Sequence, residues 1–272
     1  MYYKTLLIGS EKIKLMWKIF KRTFLIINWK TLLITSLAIA STAICLHFDI
    51  KADFPLTLIG TAIVFPIVFS IGGAYKRREV ALDEYGAIKA HGRALYFAVS
   101  HWLENPPENL KAEIKIRLEN LLNSCTHVFT NPVSDLEDTE KNVYRSFREL
   151  SEFVKTMRSH GLPSGEASRS NQFLSKMMIS FERIKHIYQY RTPRTLRTYS
   201  DIFIVILPII YGPHFAESVT SYSYGLQFAV PIMFSVILVA LDNIQSHLEN
   251  PFDQQGEDDV HINVEKFIRN LE

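Results

Sequence analysis

The sequence predicts an all-α fold, an integral membrane protein with four transmembrane helices and a cytoplasmic helical domain. Two uncharged apolar runs lie near the N-terminus and two further apolar runs lie after residue 195. The roughly 120 residues between these pairs repeat their apolar side chains every three to four positions. The expected organisation is an N-terminal segment with transmembrane helices 1 and 2 (1–75), a cytoplasmic helical domain (76–195), transmembrane helices 3 and 4 (196–241) and a cytoplasmic C-terminal tail (242–272).

A crossing helix needs about 20 mostly apolar residues, because in hydrocarbon every backbone N–H and C=O must be satisfied within the segment. Residues 31–48 and 54–75 reach that length without a formal charge, and 224–241 is interrupted only by Gln227, Pro231 and Ser235. The third span is weaker. Residues 202–211 are intensely apolar but short, and reach length only by including Leu196, Tyr199, Asp201, Pro208 and the chain through Ala216. Gly212-Pro213 then reads as the turn that opens the outer loop. The first run exceeds the core of about 7–15 residues found in secretory signals, and the residues before it contain Trp17 and Trp29. It is expected to be a retained span.

Lys and Arg in the short flanks set the expected orientation. Lys12, Lys14, Lys18, Lys21, Arg22 and Lys30 precede the first span, Lys76, Arg77 and Arg78 follow the second, and Arg191, Arg194 and Arg197 precede the third. Residues 47–53 hold one Lys against two Asp, and residues 212–223 hold no Lys or Arg. Both termini are therefore expected in the cytoplasm, with a bacterial inner membrane or an equivalent cell membrane as the setting. The totals, 30 Lys and Arg against 28 Asp and Glu, give no support for bulk nucleic-acid affinity. Cys45 lies in an apolar run and Cys125 in an amphipathic one, so both are expected as buried small side chains rather than a disulfide.

Within the intervening region, Asn105-Pro106-Pro107, Asn131-Pro132 and the stretch from Gly161 to Gly165 are breakers. Leu110, Ile114, Leu118, Leu121, Cys125 and Val128 form one helical stripe. Val143, Phe147, Leu150, Val154 and Met157 form a second, and Phe173, Met177, Phe181, Ile184 and Tyr188 a third. A further helix is expected to continue the second span through Arg77 and Tyr85 to about Trp102, and the polar tract 164–170 is expected to be a loop. The nine histidines are scattered, and no metal-site spacing, phosphate-binding glycine loop or nucleophile elbow occurs. That leaves transport, a channel or a sensor-scaffold ahead of catalysis.

Three stretches resemble the bestrophin family of channels. Phe69-Ser70-Ile71-Gly72-Gly73-Ala74-Tyr75-Lys76-Arg77-Arg78-Glu79 is similar to the end of the family's second span, with Arg78 where a Trp is usual. Thr192-Pro193-Arg194-Thr195-Leu196-Arg197 leads into the third span, and the fourth ends in Glu249-Asn250-Pro251-Phe252 followed by the acidic cluster Glu257-Asp258-Asp259. In order, these cover nearly the whole chain. The resemblance implies a homopentamer in the lipid bilayer, passing chloride or other monovalent anions through a central pore lined by the second span. On that basis Thr61, Phe65 and Phe69, four apart on one face, correspond to the pore neck, with Thr61 more polar than the family's usual apolar residue. Gln189 corresponds to a cytoplasmic aperture that is often apolar in the family. Asp258 and Asp259 correspond to a region that clasps Ca²⁺ in calcium-activated members, and read equally as a solvated acidic turn. A cation-conducting variant, and a membrane-anchored scaffold whose helical domain binds a partner, are the alternatives.

Overall fold

The computed structural model describes residues 26–271 except 54, 105, 191, 192, 219–225 and 253–258, together with 16, 17, 20 and 23. Nine α-helices are assigned among the described residues, and no strand. They are α1 (Trp29–His47), α2 (Leu56–His101), α3 (Glu108–Thr130), α4 (Leu136–Ser159), α5 (Ser164–Gln189), α6 (Arg194–Ile210), α7 (Gly212–Ser218), α8 (Ala229–Glu249) and α9 (Val264–Arg269). The chain divides into two compact units, Met1–Ala74 with Thr192–Glu249, and Tyr75–Arg191 with Asn250–Glu272.

The first unit holds the apolar helices. Trp29–His47, Thr57–His101 and Leu226–Glu249 are each long and apolar enough to cross a membrane, and α6 with α7, taken as one bent span, supplies a fourth. α1 starts on a capping box. The Asn28 side chain accepts from the Thr31 N–H at 3.3 Å, and the Thr31 hydroxyl accepts from the Asn28 N–H at 3.2 Å. Ile34, Ile63, Ile67, Ile204, Leu207, Phe215, Leu238 and Val239 from five helices, with Tyr211 at the turn between two of them, make its buried core.

Gly212-Pro213 does not open a loop, as the sequence suggested; the chain turns at Tyr211 and at once resumes as α7. Proline fits the first turn of a helix, where its fixed φ is already the helical one. It does deprive the Ile209 carbonyl of its i+4 donor, and the Ser41 hydroxyl of α1 donates to that oxygen at 2.7 Å. The approach is close enough that a Cβ at Gly212 would lie 2.2 Å from Ser41 Oγ.

The second unit contains the amphipathic helices, and the stripes expected from their spacing are its core. Ile114, Leu118 and Leu121 of α3 meet Val143, Phe147 and Leu150 of α4 and Met177, Phe181 and Ile184 of α5. α2 continues through residue 101 as expected, contributing Tyr85, Ile88 and Leu95. Phe252 enters this core 1% exposed, stacked on Phe129 at 5.0 Å between ring centroids. Val260, Val264, Phe267 and Leu271 join it. Both cysteines are free and buried, and burial pushes the Cys125 thiol up to about 12.

The tract 164–170 is helical rather than a loop. Pro163 precedes its first turn, Glu166 sits at the positive end of the helix dipole, and Ala167 and Ser170 are buried against the core. At the rim, Lys185 bridges α4 and α5. Burial disfavours its ammonium, but hydrogen bonds with Glu182, Tyr144 and Glu140 outweigh that and hold its pKa above the ordinary lysine value.

Candidate functional site

The first half of α2 has two unlike faces. Ile63, Ile67, Ser70 and Ala74 are buried. On the other face Thr61, Phe65, Val68, Phe69 and Gly72 are exposed, Phe65 by 59% and Phe69 by 63%. The three residues singled out for a neck therefore share one uncovered stripe. The rings of Phe65 and Phe69 meet edge to face at 4.5 Å and 82°, the arrangement their quadrupoles favour, so each limits the other's rotation. The Thr61 hydroxyl donates to the Thr57 carbonyl at 2.6 Å within its own helix. A Cβ at Gly72 would meet nothing within 4 Å, which leaves room beside the stripe for another chain to approach. A shallow groove of 380 Å³ runs alongside, lined by Thr57, Gly60, Thr61, Val64, Phe65 and Val68. No ionisable side chain occurs on α2 before Tyr75.

Gln189 is the last residue of α5 and is exposed. Its neighbour Tyr188 points into the second unit's core and donates to the Asn131 carbonyl, while Tyr190 is 58% exposed and packs on His186 at 4.6 Å. Asp258 lies outside the described residues. Asp259 is half-buried, next to Val260, whose N–H donates to the Pro251 carbonyl at 2.7 Å. Among the described residues no three His, Cys, Asp or Glu side chains converge as a metal site would require.

Sequence reasoning missed a group of charges at one end of the first unit. Asp242, only 1% exposed on α8, takes Lys30 of α1 at 2.6 Å and Arg197 of α6 at 3.3 Å. Asp201 lies 3.6 Å from Lys30 and 3.3 Å from Arg197, and Glu249 lies 3.7 Å from Arg197. Arg197, one of the basic residues counted toward the orientation, is committed to three carboxylates. Two signals were available: an Asp inside the short third span, and a second Asp directly after the last apolar residue of the fourth. Ionisable groups in such places pair with one another.

No family model matches the chain, and no curated protein does. Solved structures do. A bacterial bestrophin homologue from Klebsiella pneumoniae is similar at a TM-score of 0.72 and 18% identity, over 89% of this chain and 96% of that one. Two single-substitution variants of the Klebsiella pneumoniae homologue align at TM-scores of 0.72 and 0.73, with 19% and 18% identity, each over 90% of this chain and 97% of the other. The shares covered leave little of either chain unmatched, and the chain has the fold of the bacterial bestrophin homologues.

Proposed function

We propose that the chain is one subunit of a bestrophin-type passive ion channel, a homopentamer that conducts monovalent anions such as chloride through a central pore lined by α2. The observation that carries this reading is the uncovered, uncharged stripe of Thr61, Phe65 and Phe69 opposite a fully packed face of the same helix. In the pentamer, rings of Phe65 and Phe69 form a narrow apolar neck that gates by dewetting, and their positive edges suit a passing anion. Thr61 makes the outer layer of the neck wetter. Gln189 gives a polar aperture on the cytoplasmic side, and Asp258 with Asp259 belongs to the segment where the family's Ca²⁺ site would fall. Both termini face the cytoplasm of a bacterial inner membrane. The scaffold alternative draws on a groove of 720 Å³ in the second unit, lined among others by Val80, Met178, Ile179 and Ile187.

Chloride flux into liposomes distinguishes the two readings. The wild type is expected to conduct, and Phe65→Ala/Phe69→Ala is expected to change the rate or the ion preference. Folded protein that passes no monovalent ion in either version overturns the channel reading and favours the scaffold. Flux of potassium without chloride replaces the anion channel by the cation-conducting variant.

A further inference from the structure

The neck stripe is interrupted by a proline. Pro66 lies inside α2, one residue after Phe65 and three before Phe69. A proline in a helix interior removes the N–H that the carbonyl four residues earlier would accept, here Ala62. Between hydrocarbon and neighbouring helices an unsatisfied carbonyl costs free energy, and the turn around it tends to open. The Tyr199 hydroxyl of α6 donates to the Ala62 carbonyl at 3.4 Å. At Pro213 the same arrangement appears, with the Ser41 hydroxyl on the Ile209 carbonyl. In both cases a hydroxyl from an adjacent helix stands where proline has removed a backbone donor.

Tyr199 is well placed to act on α2. Its ring packs against Phe203 at 4.6 Å, and Phe203 packs against the first unit's core. Two residues to either side, Arg197 and Asp201 tie the start of α6 to Asp242 and Lys30. Ile204 and Leu207 of α6 share that core with Ile63 and Ile67 of α2. The hydroxyl is thus delivered from a helix held at its charged end and along its apolar face. The residues on either side of Ala62 are Thr61, which lies on the stripe, and Ile63, which faces the core.

We infer that Tyr199 is a positioning residue for the neck: its hydroxyl replaces the N–H that Pro66 lacks and so fixes the turn that presents Thr61, Phe65 and Phe69. The inference rests on the channel reading for what the neck does, and on the hydrogen bond for how it is held. It carries a consequence that a generic packing role would not. Removing the hydroxyl matters only while residue 66 is a proline, because alanine there restores the backbone donor and makes the tyrosine redundant.

The test uses four full-length proteins: wild type, Tyr199→Phe, Pro66→Ala and the double variant. Each is reconstituted for chloride flux and for amide hydrogen exchange over residues 57–75. Tyr199→Phe in the wild-type background is expected to speed exchange around the turn and to change flux or the chloride-to-nitrate preference by about threefold to tenfold, the scale of one hydrogen bond's net contribution. In the Pro66→Ala background the same substitution is expected to change neither. Equal effects in both backgrounds, or no effect of Tyr199→Phe on exchange, overturn the inference. Faster exchange with unchanged flux also overturns it, by reducing Tyr199 to a brace without influence on the neck. If the wild type conducts nothing the channel reading falls, and the positioning role falls with it. Exchange then reports separately whether Tyr199 holds the turn.

Discussion

The two units of this chain are built on opposite plans. In the second, large apolar side chains fill the interior and the charged groups stand at the rim, as Lys185, Glu182 and Glu140 do between α4 and α5. In the first, the outward faces carry the large apolar residues, among them Leu32, Leu37, Ile44, Ile206, Ile210, Met233 and Ile237. Its interior includes Thr31, Thr42, Ser200, Ser235, Asp242, Asn243 and Gln245. Water drives the second unit's plan by expelling apolar surface. Lipid tails give helices no such reason to associate, so hydrogen bonds, ion pairs and close van der Waals fit take over. The Ser235 hydroxyl, which donates to Thr35 Oγ1 at 3.0 Å, and the capping box of Asn28 with Thr31 belong to that economy of polar contacts.

The comparison can be broken by mutation. The largest loss is expected from Phe252→Ala, which empties an aromatic stack in the second unit's core and should cost about 3–5 kcal/mol. Pulse proteolysis of the purified protein would register it first as cleavage within residues 75–191. A smaller loss, about 2 kcal/mol, is expected from Asp242→Ala, because Lys30 and Arg197 lose their buried charged partner and keep only the more exposed Asp201 and Glu249. Thermal unfolding in nanodiscs would measure it, and a cost below about 1 kcal/mol would mean that the apolar unit does not depend on its polar interior. Ser41→Ala sharpens the same point at the lower end. It leaves the Ile209 carbonyl without its hydroxyl donor and is expected to cost about 1 kcal/mol, in line with interhelical hydrogen bonds in membranes.

Much of this was legible in the sequence wherever one residue type repeats at a fixed interval. The stripes of α3, α4 and α5 and the continuation of α2 past residue 100 follow from local periodicity, and so does the shared face of Thr61, Phe65 and Phe69. What was missed depends on partners far away in the chain. Lys30 and Asp242 lie 212 positions apart, so nothing local announces their pairing. The polar tract 164–170 looked like a loop because Ser, Gly and Arg dominate it, yet Ala167 and Ser170 find a packed surface that rewards the helix. Gly212-Pro213 looked like a turn because only the Ser41 contact reveals why glycine is needed and how the freed carbonyl is satisfied.

The seating of Phe252 also sets an order of events during synthesis. The core around Phe129, Phe181 and Tyr188 is closed by Phe252, Val260, Val264, Phe267 and Leu271, which follow the last apolar helix. At a ribosome speed of about 5–20 residues per second, the 80 residues from 191 to 271 take roughly 4–16 s to appear. For that interval α3, α4 and α5 stand with an open apolar seam while α6 and α8 are entering the bilayer. Any chaperone that attends this protein has its longest task there, and a chain interrupted before residue 252 would keep the seam exposed for good.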